Sequence, residues 1–382
     1  MTAQERRPGA RRRFAPAVRG TKVPPQERRS ATEGACTAVR STEVFPNERD
    51  GPVCSKLWCT THFHDSMTAE TEQATTTLIE VIQGDLSAYR QGNTGVDYVH
   101  RFESGKPGPH VLINALTHGN EICGMVAARH LLDTGVRPLV GTLTVSFAHV
   151  EAYNAFDVAK PFENRQIVHN LNRIWSDELL DGTEDSPELR RARALRPVVA
   201  AADHILDIHS TSQDVVPFWV YPDFARNADV ALAIGRPPVH LVMPYGLGSG
   251  TPLIQHGRHA AAEAPGAAMV VECGQHFKRA TADVATEVTM HFLAHFGLIE
   301  REASRVTEPQ RRFELLQTLM VKTKDFSFTR PLIGFETFAR DELIGTDGTE
   351  EIRAPCDECT VFMPTREPIV GREAVYLTRP MA

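Results

Sequence analysis

Cysteine is scarce in this chain: seven among 382 residues, an odd number without regular spacing. That pattern excludes a disulfide framework and makes a reducing, cytoplasmic compartment the expectation. Long apolar runs are also missing. No stretch approaches the roughly 20 residues that a membrane span needs, and the first residues lack the apolar segment of a secretory signal, so neither membrane insertion nor export is expected. A basic excess is absent from the body of the chain. Residues 1–66 hold 12 Lys/Arg against 7 Asp/Glu, a local charge of +5, which leaves residues 67–382 at −12 within an overall −7. Nucleic acid and other polyanions are therefore poor partners for the body. What the chain does have is apolar content, 42% hydrophobic, enough for one large core and a smaller module.

That apolar content is unevenly spread. Residues 1–75 carry Arg11-Arg12-Arg13 and scattered Pro and Gly without a sustained helical or strand period. They read as a disordered, Arg-rich extension that cannot bury enough apolar surface to offset the entropy of ordering. A translation start at Met67 would leave most of it outside the working protein. Cys54, Cys59, His62 and His64 fall in this stretch, but their spacing fits no structural zinc pattern. Residues 76–308 look globular, and residues 309–382 read as a small β-rich domain with turn signals such as Asp347-Gly348. Cys356 and Cys359 there form a lone CxxC, without the second pair that a zinc site needs.

The globular part is organised around His110–Asp133. Val111–Leu116 reads as a buried strand and Glu121–Asp133 as a buried helix, so Thr-His-Gly-Asn-Glu occupies the turn between them. A short strand is expected at Tyr98–Phe102, another at Thr142–Ala148, and a helical or strand-like opening at Thr77–Arg90. Ser186-Pro187-Glu188 starts a helix interrupted by Pro197. Apolar runs at His204–Ile208 and Ala267–Val271 are further strands, and Val284, Val288, Phe292 and Phe296 mark an amphipathic helix closed by Gly297. Strands alternating with helices give an α/β domain with helices on both faces of a sheet.

In open α/β sheets ligand sites gather at the carboxyl ends of strands. His118 and Glu121 sit at one such end, and His209 and Glu272 each follow an apolar run. His118 and Glu121 offer a nitrogen and a carboxylate, a donor mix that zinc accepts, with His209 the natural third ligand or else a hydrogen-bonded core histidine. Glu272 is open to three roles, fourth ligand, structural ion-pair partner or general base, of which the base suits hydrolysis best. Arg165, Asn172 and Arg173 suit a substrate carboxylate or a developing oxyanion.

Taken together, HxxE at His118 and Glu121, the Asn172-Arg173 pair, His209, and Glu272 in an ExGxH context resemble the aspartoacylase and succinylglutamate desuccinylase family, relatives of the zinc carboxypeptidases. The resemblance implies a mixed central sheet with helices on both faces plus a small C-terminal β-rich domain. It implies one Zn2+ per chain on His118, Glu121 and His209, with Glu272 as proton shuttle and Arg165 polarising the scissile carbonyl. Asn172 and Arg173 match the family's α-carboxylate clamp, and Arg258 is offered as an acyl-group partner, with Tyr245 and Trp219 weaker ones. The Asp that often precedes Leu-Asn-Arg is Asn170 here. The expected activity is removal of the acyl group from a small N-acyl amino acid, with a peptide-cleaving metallocarboxypeptidase or a non-catalytic metal-binding relative as the alternatives. The oligomeric state is left open, a homo-oligomer included.

Overall fold

The computed structural model describes residues 78–244, 246–301 and 308–381. The Arg-rich extension with Cys54, Cys59, His62, His64 and Met67, and also Tyr245, lie outside the described residues. In chain order the described residues form β1 (Val99–Glu103), β2 (His110–Ala115), α1 (Ile122–Asp133), β3 (Thr142–Phe147), α2 (Val150–Asn154), α3 (Asp177–Asp181), α4 (Pro187–Ala201), β4 (His204–Thr211), β5 (Phe218–Pro222), α5 (Ala225–Ile234), β6 (Val239–Met243), β7 (Ala268–Gln275) and α6 (Arg279–His295). Then follow β8 (Arg311–Met320), β9 (Phe326–Phe328), β10 (Thr337–Phe338), β11 (Leu343–Asp347), β12 (Glu350–Arg353), β13 (Cys359–Phe362) and β14 (Glu373–Pro380).

The apolar runs of β2, β4 and β7 are continuous rather than alternating because both faces of these strands are covered. Val111, Ile113 and Ala115 pack beneath α1 and α6, while Leu112 joins the core beneath α4. These strands pair in parallel with β3 on the outer side, and one mixed sheet runs β1-β3-β2-β4-β7-β5-β6-β8-β14-β13-β10. The fold is thus α/β, with helices on both faces of a mixed central sheet. β5 is antiparallel to β7, whereas β6 is parallel to both β5 and β8. The C-terminal strands therefore continue the same sheet, and only β12-β11-β9 forms a separate one.

Local signals explain some element ends. Ser186 Oγ accepts from Leu189 N at 3.0 Å, capping α4 one residue before Pro187. Pro197 does not interrupt this helix as expected. It removes one hydrogen bond near the C-terminal end, and burial of Leu189, Ala192, Leu195 and Val199 holds the remaining turns. The opening at 78–90 is neither helix nor strand apart from one 3-10 turn, Ser87–Tyr89. No helix among the described residues is long and apolar enough to cross a membrane.

Candidate metal centre and active-site cavity

The turn after β2 is tight for a steric reason. A Cβ on Gly119 would lie 2.4 Å from Asn164 O and 2.5 Å from Ala152 C, so only glycine lets this backbone pass. Leu116, at φ 60°, turns the chain out of the strand, and Glu121 stands at the threshold of α1. Sheet register brings the distant residues alongside. His209 is the register partner of Glu272, and Glu272 that of Phe218, so the three form a row across β4, β7 and β5. His209 and Glu272 lie inside strands that continue to Thr211 and Gln275, rather than just past their ends.

One ligand atom from each of His118, Glu121 and His209 falls within 4.8 Å of the others, the one such cluster among the described residues. Glu121 Oε1 lies 2.8 Å from His118 Nδ1, and Oε2 lies 3.0 Å from His209 Nδ1. The outer nitrogens are committed elsewhere. His118 Nε2 is 2.9 Å from Asn170 Oδ1, an atom fixed as the amide oxygen because it also accepts from Asn172 N. His209 Nε2 donates to Asp207 Oδ2 at 2.8 Å, and Asn114 and Thr117 bond to Asp207 Oδ1. With both Nε2 positions carrying hydrogen, two Nδ1 lone pairs and a carboxylate converge, a donor set that fits zinc held by oriented imidazoles. Asn170 thus supplies the outer acceptor oxygen where the family often has Asp.

Electrostatics agree with that fit at His118 and Glu121, whereas His209 favours a proton that a bound cation would have to displace. Burial, reinforced by the Arg165 charge, lowers the His118 pKa to about 4, so this ring is a neutral ligand near pH 7. At His209 burial opposes charge, but the Asp207 and Glu121 carboxylates overcome it and raise the pKa well above the usual histidine value. Burial likewise works against charge on Glu121, yet the two imidazoles hold it well below the carboxylate range. Glu272 behaves oppositely. Its Oε2 is buried without a hydrogen-bond partner, and burial pushes the carboxyl up to about 8.

These residues line a cavity of about 1000 Å³ that also takes in Arg165, Asn172, Arg173, His276, Glu373 and Tyr376. Arg165 Nη1 donates to Glu121 Oε1 at 3.1 Å, placing the guanidinium beside the His118–Glu121–His209 cluster. Its loop is held from below by Glu188 of α4, whose Oε1 accepts from Ile167 N at 2.7 Å and Val168 N at 3.1 Å and contacts His149 Nε2 at 2.9 Å. Asn172 Oδ1 accepts from Leu253 N at 3.0 Å.

Arg173 is already paired. Its Nε and Nη2 each donate at 2.9 Å to the two carboxylate oxygens of Glu373, with Ser249 and Tyr376 as further partners. A residue of the chain itself therefore occupies the position where the resemblance implied a substrate carboxylate. Arg258 does not reach the cavity. Its guanidinium bonds to Ala202 O and Asp203 Oδ1 at the entry end of β4, opposite the end that carries His209. Trp219 faces the core on the other side of the sheet from Phe218 and Val220. Glu373 and Tyr376 carried no motif and Glu188 only a helix-start signal, whereas His276, whose Nδ1 is 2.7 Å from Ser210 Oγ, closes the ExGxH stretch.

An α/β sheet thus brings a buried His-Glu-His cluster, able to hold one metal ion, and a further carboxyl together in one cavity. Residues 107–296 match the model of the succinylglutamate desuccinylase/aspartoacylase catalytic domain, and this region of the chain belongs to that family. A human N-acyl-aromatic-L-amino acid amidohydrolase (carboxylate-forming) is 31% identical over 119 residues, 29% of this chain and 36% of the human protein. The chain thus matches only about a third of the length of that curated relative. Succinylglutamate desuccinylase from Vibrio cholerae has the same fold, with a TM-score of 0.58 at 18% identity over 75% of this chain and 86% of that one. The product-bound ectoine utilization protein EutE (DoeB) from Ruegeria pomeroyi gives 0.53 at 18%, over 74% and 88%.

Proposed function

We propose that this chain is a zinc-dependent amidohydrolase that removes the acyl group from a small N-acyl amino acid. The observation that carries the reading is the joint placement of two inward-facing Nδ1 atoms, a carboxylate and an unpartnered Glu272 in one cavity. Family membership supports it, since these are N-acyl amino acid hydrolases. A divalent cation on His118, Glu121 and His209 would supply Lewis acidity and lower the pKa of a water and of the neighbouring carboxyl.

The chain's own residues do the rest. Glu272, ionised, accepts a proton from the attacking water and later returns it to the leaving amine. Its burial keeps it basic enough for that task, because a carboxylate in an apolar setting holds a proton more tightly than one in water. Arg165 stands where positive charge stabilises the oxygen that becomes negative as the amide carbonyl is attacked. Asp207 and Asn170 hold the imidazoles in register, and Glu188 holds the Arg165 loop.

The test is Glu272→Gln, assayed with N-acetyl, N-succinyl and N-formyl amino acids and short peptides, with metal content measured on the same sample. Turnover should fall by about 10²–10⁴-fold, the usual contribution of a general base, while bound metal remains near one per chain. Near-normal turnover by the metal-loaded variant would remove Glu272 as base. Cleavage confined to peptides would make the protein a carboxypeptidase.

A further inference from the structure

Arg165, Arg173, Arg366 and Arg372 all line the cavity. Two of them are committed. Arg165 Nη1 is bonded to Glu121, and Arg173 directs Nε and Nη2 to Glu373. A substrate that brings a carboxylate into this space needs another cation, because an ionised carboxylate taken out of water without a partner is strongly disfavoured.

Arg366 is the one that the chain holds in place. Its Cζ lies 3.9 Å from the centre of the Phe162 ring, so the flat cation is laid against an aromatic face. Phe162 is itself braced. Its ring meets Phe277 edge-on at 5.3 Å and His276 at 6.0 Å, and His276 Nδ1 is tied to Ser210 Oγ at 2.7 Å, one residue beyond His209. Phe162, His276 and Ser210 all line the cavity, so this run of contacts links the His118–Glu121–His209 cluster to Arg366 along its wall.

Stacking leaves the donors free. The five N–H bonds of a guanidinium lie in its plane and point outward from its edge, whereas the ring covers only a face. Among the described residues no acid and no carbonyl accepts from the Arg366 guanidinium, and Glu367, exposed beside it, makes no ion pair with it. The charge is felt inside the cavity. Burial lowers the His276 pKa to about 3 against the opposing Glu121 charge, and the Arg165 and Arg366 charges add to the lowering, so both cations act on one ring of the wall. Arg372 differs. It has neither an aromatic face nor an acid to hold it, so recruiting it would mean ordering a long, free side chain on binding.

Resting on the hydrolase reading above, we infer that Arg366 is a substrate-binding residue, gripping a substrate carboxylate through the free edge of its guanidinium, a role that Arg173 cannot fill while paired with Glu373. The carboxylate belongs either to the amino-acid half or to a dicarboxylic acyl half, and the assay separates the two. Such a grip is made alike in ground and transition states, so its loss appears in KM rather than in kcat.

The experiment uses the metal-loaded protein and whichever of the acetyl, succinyl and formyl groups is cleaved fastest. It compares kcat/KM of the N-acyl-L-alanine with that of its carboxamide in wild type, Arg366→Gln and Arg372→Gln. N-succinyl-L-alaninamide against N-butyryl-L-alaninamide gives the same comparison for an acyl carboxylate. In one pair wild type should prefer the charged member by about tenfold or more, the worth of one charge-assisted hydrogen bond, and Arg366→Gln should lower that preference by a similar factor through KM. The pair that responds identifies the source. Arg366→Lys, which keeps the charge without the flat fork, should restore the preference only in part. Equal losses on both members, an unchanged preference in Arg366→Gln shown by circular dichroism to be folded, or loss of the preference in Arg372→Gln instead would overturn the inference while leaving the hydrolase reading intact. Absence of turnover on every compound would overturn the hydrolase reading. Calorimetry on metal-loaded Glu272→Gln, with and without Arg366→Gln, then decides Arg366 by itself: affinity about tenfold weaker for the charged member alone supports the grip, and no loss or an equal loss overturns it.

Discussion

Replacing Glu373 by glutamine keeps the side chain's shape and removes its charge, and the structure allows the cost to be worked out. The carboxylate accepts from Arg173 Nε and Nη2, both at 2.9 Å, from Tyr376 Oη at 2.8 Å, and from Ser249 Oγ. The Arg173 and Glu373 side chains are only 13% and 24% exposed. Burial alone would raise the Glu373 pKa, but the Arg173 charge and these hydrogen bonds lower it to about 2 from an ordinary 4.5. A gap of that size corresponds to about 3 kcal/mol favouring the ionised, folded form. Because the folded-state pKa is the lower one, this contribution is present above pH 4.5 and is lost as pH falls toward 2. Glu373→Gln should therefore cost about 3 kcal/mol at pH 7, within the range for leaving one partner of a buried pair alone. Urea denaturation at several pH values measures it: the gap between wild type and variant should narrow steadily from pH 4.5 downward. Adding Arg173→Met should recover part of the loss, giving a coupling of at least about 1.5 kcal/mol in a double-mutant cycle. A gap below about 1 kcal/mol at pH 7, or one that ignores acid, would refute the assignment of Arg173 to Glu373.

Two further outcomes follow from the same geometry. Zinc added to metal-stripped protein should raise its melting temperature, with about 4 kcal/mol gained at a thousandfold excess over Kd. His118→Ala and His209→Ala should abolish that shift and the bound metal, whereas Asp207→Asn or Asn170→Ala should weaken affinity by about 10–100-fold; full zinc content in both histidine variants would exclude the ligand set. Glu188→Ala should strip the Ile167 and Val168 N–H groups of their acceptor, lowering stability by about 1–3 kcal/mol in all and reducing kcat more than it raises KM. Glu188→Gln should restore kcat in part, since its amide oxygen can still accept from the loop, and equal kcat in wild type and Glu188→Ala would show that the loop needs no anchor.

The turn that carries His118 and Glu121 was legible because it rests on neighbours in sequence. Val111–Leu116 matches β2 to within one residue at each end, and His118, Gly119 and Glu121 fall in the turn that follows. His209 and Glu272 were reachable because each follows a continuous apolar run, although both strands extend further than the runs suggested. β5 and β6 went unnoticed, being five residues each, and nothing local signals that β5 runs antiparallel to β7. Glu373 was invisible for a different reason: 200 positions separate it from Arg173, and only the assembled sheet brings them together. The place of Arg258 is hidden for a like reason, since its partner Asp203 holds it at the far end of β4.

The parallel pairing of Leu241 with Phe313 ties the last seventy residues to the rest of the sheet through main-chain hydrogen bonds. Side chains alternate along a strand, so a slip of one residue between β6 and β8 would invert every side chain downstream in the ladder. Glu373 and Tyr376, carried on the next strand, would then turn their backs on the cavity. The C-terminal region is thus not an interchangeable bead. Grafting one from a relative would preserve the Arg173–Glu373 contact only where the splice keeps this alignment, and trimming it away would bare β6 as an unprotected edge open to pairing with other chains.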